Sequence, residues 1–113
     1  MRIATILLTL LMTNTAIAGS FEGKYRPNKN WNCRDVGVDG GALAIRGNKL
    51  HGVENVCTMT NPTRVRDMDA TLYDLDCWGE GEKWKSRIML MKTDGGLLHI
   101  GNGYASKWFR CPR

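Results

Sequence analysis

The sequence predicts an all-β fold: a small antiparallel meander forming a barrel or sandwich, stapled by two disulfides. Three observations predict it. Helical periodicity is missing: no stretch beyond the N-terminus keeps apolar residues at i, i+3, i+4 and i+7 for three turns. Apolar and polar residues alternate in short runs, broken about every ten residues by Gly, Asn and Asp, as sandwiches and barrels require. Four cysteines fall in a chain of 113 residues, which holds one domain with a small core.

Residues 1–18 read as an address. Arg2 precedes the apolar run Ile3–Met12, and Ala16-Ile17-Ala18 supplies the small residues of a cleavage site. Thr13, Asn14 and Thr15 cut the run short of the roughly 20 apolar residues a spanning helix needs. A signal peptide over 1–18 and a single β domain over 19–113 are therefore expected. The mature chain is then a soluble monomer, periplasmic or secreted, with no membrane span. Its net charge falls from +5 to +4 with the loss of Arg2.

Export gives the cysteines their meaning. An even number in a small exported domain reads as a disulfide framework. The closest two cysteines stand twenty positions apart, so the close pairs of a zinc site are absent, and neither a metal nor another cofactor is expected. Four cysteines allow three connectivities, and the strands choose among them.

The expected strands are Phe21–Arg26, Gly41–Arg46, Lys49–Val65, Asp69–Cys77, Trp84–Lys92, Leu97–Gly101 and Tyr104–Cys111, with Asn28–Gly41 as the longest irregular stretch. A hairpin folded about Asp67 sets Cys57 against Cys77, Met59 against Leu75, Asn61 against Tyr73 and Thr63 against Thr71. That register favours Cys57–Cys77 and leaves Cys33–Cys111. Pro62 demands an exposed edge or a bulge in its strand. Matching inward Cys77 with inward Trp84 brings Asp76 opposite Lys85 and Asp74 opposite Arg87, two favourable pairs, with 78–83 as the connecting loop. A turn at Thr93-Asp94-Gly95 sets Leu90 opposite Leu98 and Ile88 opposite Ile100. Asn102-Gly103 is a strong two-residue turn. Pairing through it puts Lys107 on the face of Leu98, which calls for a bulge or another loop. A second change of parity, between Leu50 and Cys57, points to a bulge near Glu54-Asn55.

Candidate chemistry is sparse, and no enzyme is expected. His51 and Glu54 are three apart, which on a strand sends them to opposite faces. The serines lie in no nucleophile motif, and the cysteines are committed to bridges. Glu80 and Glu82 are the one carboxylate pair that could serve glycoside cleavage. Lys83-Trp84-Lys85-Ser86-Arg87 and Lys107-Trp108-Phe109-Arg110 interleave rings with cations. In a cytoplasmic chain this would suggest single-stranded nucleic acid; export argues against that partner, and strand alternation gives rings inward and cations outward. The candidate binding residues are Trp31, Trp78, Glu80, Glu82, Lys107, Trp108 and Arg110. Trp31 and Trp78 would either pack on the bridges or, if exposed, stack on sugars.

The segments Glu54-Asn55-Val56-Cys57, Cys77-Trp78-Gly79-Glu80-Gly81-Glu82 and Arg110-Cys111-Pro112 together resemble small periplasmic disulfide-containing β-proteins of alphaproteobacteria, a group that implies the fold and no activity. Size and export are also similar to periplasmic lysozyme inhibitors. The Ser-Gly-x-x-Tyr motif of their c-type family is lacking at the nearest stretch, Gly101-Asn102-Gly103-Tyr104. The reading is an exported binding protein whose partner is an envelope or extracellular protein or an anionic glycan. The alternatives are an inhibitor of a glycoside hydrolase and a small hydrolase of envelope glycans.

Overall fold

A computed structural model of the chain describes residues 21–112, together with Ala4. The expected signal peptide and its boundary at Gly19 lie outside the described residues. Every regular element described is a strand: β1 (Gly23–Arg26), β2 (Leu43–Arg46), β3 (Lys49–Gly52), β4 (Asn55–Arg64), β5 (Ala70–Gly79), β6 (Glu82–Thr93), β7 (Gly96–Gly101) and β8 (Tyr104–Arg110). Each pairs antiparallel with the next, and β1 pairs with β8 to close a barrel. Of barrel and sandwich, the barrel is the fold.

Alternation builds the core. Tyr25, Leu43, Ile45, Leu50, Cys57, Met59, Tyr73, Leu75, Cys77, Ile88, Leu90, Leu97 and Trp108 point inward and are buried. Phe21 joins them from ahead of β1, edge-on to Tyr73 with ring centroids 6.4 Å apart. Both bridges are those expected, Cys57–Cys77 and Cys33–Cys111, with Cα atoms 3.9 and 5.8 Å apart.

The Cys57/Cys77 register holds from Val56/Trp78 to Thr60/Asp74 and then shifts. Asn61 adopts a left-handed φ of 51° before Pro62, and Thr63 faces Leu72 rather than Thr71. This is the bulge that Pro62, with no N–H to give, requires. The β5–β6 register is the expected one throughout, including Asp76/Lys85 and Asp74/Arg87.

Three expectations need correction. The stretch Lys49–Val65 is a hairpin, not one strand. Val53-Glu54 turns the chain, with Glu54 at φ 55°, and Leu50 faces Cys57. The parity change is thus a turn rather than a bulge. Residues 78–83 are not a loop: strands run to Gly79 and from Glu82, and only Glu80-Gly81, both at positive φ, turn. The β6–β7 register is off by one. A two-residue turn at Asp94-Gly95 pairs Thr93 with Gly96, so Leu90 faces His99 and Met89 faces Ile100. Leu97 and His99 therefore point inward, while Leu98 and Ile100 are half-buried on the outer face. Lys107 does share Leu98's face, with no bulge, because that face is the outside.

The irregular stretch from Pro27 to Gly41 packs on the outside of β1 and β2. Ala44 alternates with inward Leu43 and Ile45, so it points outward, yet it is fully buried. On the same face, Lys24 Nζ donates to the Cys33 carbonyl at 2.7 Å, and Val36 bridges Ala42. Cys33–Cys111 staples this cover to the end of β8.

Candidate functional site

The outer face of β3–β6 collects the cations and the most exposed ring. One cross-strand row runs Lys49–Thr58–Asp76–Lys85, and the next runs His51–Val56–Trp78–Lys83. The twist of the sheet makes an open trough of about 500 Å³ here, lined by Lys49, Val56, Thr58, Asp76, Trp78, Lys83 and Lys85, with Cys77 and Trp84 reaching it as well. Trp78 is 57 % exposed, an unusual setting for the largest side chain. Its place follows from Cys77: the bridge faces inward, so the next residue must face out.

Three lysines meet one aspartate in this trough. Lys49 Nζ donates to Thr58 Oγ1 at 2.7 Å, and Lys85 Nζ lies 3.7 Å from Asp76. Among the described residues Lys83 has no ion pair. The trough continues along β4–β6 past Asp74, which accepts from Arg87 Nε at 2.7 Å and from Asn61 Nδ2 at 2.9 Å. Those two bonds, the Arg87 bond first, hold the Asp74 carboxyl below the usual range. The face therefore offers a ring for stacking and ammonium groups for an anion. Among the described residues no cluster of three His, Cys, Asp or Glu could hold a metal.

The tips of two hairpins meet beside Trp78. Backbone contact is close: a Cβ on Gly79 would lie 2.6 Å from the Glu54 carbonyl oxygen. The neighbouring Glu80 carboxyl raises the Glu54 carboxyl above its usual range. The carboxyl that Glu80 meets is thus Glu54. Glu82 opens β6 opposite Gly79. All three are exposed on turn tips rather than set in a cleft.

The remaining candidates scatter. Trp108 is in the core, 7 % exposed, beside Tyr25 and stacked on His99 at 4.7 Å, so it cannot present a binding ring. Lys107 stands over the outward Phe109 ring, 5.3 Å from its centroid. Arg110 closes the barrel end, donating to the Tyr25 hydroxyl at 3.1 Å and to the Glu22 carbonyl. Trp31 is half-buried in the loop cover, its carbonyl accepting from Arg26. Of the candidates, Trp78 lines the trough, and Glu80 stands on the adjoining hairpin tip. Trp84 shares the inner face of Cys77 but is 40 % exposed, because among the described residues no strand lies beyond β6 at that height.

Sequence reasoning missed Lys49 and Glu54 as neighbours of Trp78. The signal was available: a turn at Val53-Glu54 aligns Lys49 with Thr58 and hence with the β4–β6 hairpins. The chain matches no family model, no curated protein and no solved structure.

Proposed function

We propose that this is an exported binding protein that takes an anionic envelope or extracellular partner on the outer trough of β3–β6. The observation that carries the reading is Trp78, more than half exposed and flanked across the sheet by Lys83, with Lys49 and Lys85 in the adjoining row. Two disulfides support an oxidising compartment, since bridges persist in exported chains and are rare in the cytosol. Charge on the trough supplies attraction and orientation, and the ring supplies contact area at little entropic cost.

Calorimetric titration with sulfated dextran and with a glutamate-rich peptide tests it. Binding should weaken as salt rises, because exposed charges are screened. Trp78→Ala and a Lys49→Gln/Lys83→Gln double variant should each lose about tenfold with the fold intact. Full-strength binding by both variants would move the site elsewhere.

A further inference from the structure

The stagger of the barrel leaves β6 half-paired. Its partner β7 covers only Met89–Thr93. Among the described residues Glu82–Ile88 have β5 on one side and no strand on the other. Alternation tells which groups face that open flank. In a two-residue hairpin the closing pair exchanges both bonds, so Glu82 bonds toward β5, as do Trp84, Ser86 and Ile88. Lys83, Lys85 and Arg87 then aim their N–H and C=O groups away from β5. The same three residues carry outward cations.

Free strand flanks are usually disabled, and here the contrast between flanks is informative. Beyond β3, the free flank of β4 is blocked: Met59 N–H is spent on Asn48, and Pro62 sits in a bulge. The flank of β6 has no proline, no bulge and an unbroken register. Its cations reject a second copy of itself. A two-fold axis through Lys85 would set Lys85 on Lys85 and Lys83 on Arg87, like charges directly opposed.

We infer that the β6 flank is a strand-addition site for an extended acidic segment of a protein partner. An antiparallel strand would bond to the backbone of Lys83, Lys85 and Arg87. Its residues opposite those three would be acidic and lie on the outer face. The alternate residues would be apolar and cover Trp84, whose exposure this explains. The inference rests on the proposed anionic partner and narrows it from a charge class to a backbone-read protein segment.

The test uses the oxidised protein and a capped peptide of alternating Glu and Val, long enough to span Glu82–Ile88. In the bound strand the Glu amides face β6 and the Val amides face solvent. N-methylation of the Glu amides should weaken binding at least about tenfold, while N-methylation of the Val amides should change it less than about threefold. Lys85→Pro should lose at least about tenfold more than Lys85→Gln, since Pro removes a flank N–H that β5 does not use. Amide exchange across β4–β6 checks that both variants keep the barrel. Equal binding by the two methylated peptides, with sulfated dextran still bound, would overturn strand addition and leave the trough reading standing. Binding of neither the parent peptide nor sulfated dextran would remove both.

Discussion

His99 shows how one residue can couple this small core to pH. Its ring lies between Trp108, at 4.7 Å and 9° from parallel, and Tyr104 at 5.6 Å. Burial lowers its pKa, so the folded protein keeps the imidazole neutral where the unfolded chain would protonate it. The stabilising preference is fully present above the unfolded value near 6.5. It is lost as pH falls from there through the lowered folded value, because the unfolded state binds the extra proton first. Urea midpoints should therefore drop between about pH 7 and pH 5, and His99→Phe should flatten that slope. An unchanged slope in the variant would mean that other groups set the acid limit. The two tryptophans give a sharper contrast at the same scale. Trp108→Ala empties a core position and should cost about 3–5 kcal/mol. Trp78→Ala removes an exposed ring and should stay within about 0.5 kcal/mol in the same denaturation assay.

The elements were legible wherever side-chain chemistry marked their faces. Cys57, Cys77 and the Asp74/Arg87 and Asp76/Lys85 pairs pinned β4, β5 and half of β6, and Pro62 announced its bulge. Legibility ended at the turns. Val53-Glu54 contains neither Gly nor Asn, so its hairpin read as a slipped strand, and Lys49 was lost from the site with it. At the β6–β7 turn the pattern Leu97-Leu98-His99-Ile100 offers apolar residues to both faces, so periodicity could not choose. Gly96 is constrained from its other side, by β8: a Cβ there would run into the Trp108 carbonyl oxygen across the Gly96/Phe109 pairing. Gly96→Ala must push β8 away or slip the turn. It should lower stability by about 1–3 kcal/mol, measured by denaturant unfolding. Gly103→Ala, at φ 89° but in open space, should cost less, through backbone conformation alone.

At the scale of the whole molecule, one bridge closes the barrel and the other reinforces a wall. The β1–β8 seam consists of two residue pairs, Tyr25/Arg110 and Arg26/Phe109, with one further bond from Cys111 N–H to the Lys24 carbonyl. Cys33–Cys111 spans that seam and holds the outer cover over Ala44. Cys57–Cys77 joins neighbours in the well-paired β4–β5 hairpin. The sequence separations are 78 and 20 residues. By the loop-entropy argument they correspond to about 4.5 and about 3 kcal/mol. The seam adds a structural difference to that numerical one. A Cys57→Ala/Cys77→Ala variant keeps its ladder on both sides, so it should unfold in one step at a lower midpoint. A Cys33→Ala/Cys111→Ala variant should lose more stability and should also open locally. Amide exchange at position 111 and around Lys24 should then speed up before global unfolding, while β4–β6 stays protected. Because the trough and the β6 flank lie on β3–β6, across the barrel from the seam, binding of the acidic peptide should survive in the second variant at temperatures below its midpoint. Loss of binding there with β4–β6 still protected would show that the seam, and not the β4–β6 wall alone, holds the site in shape.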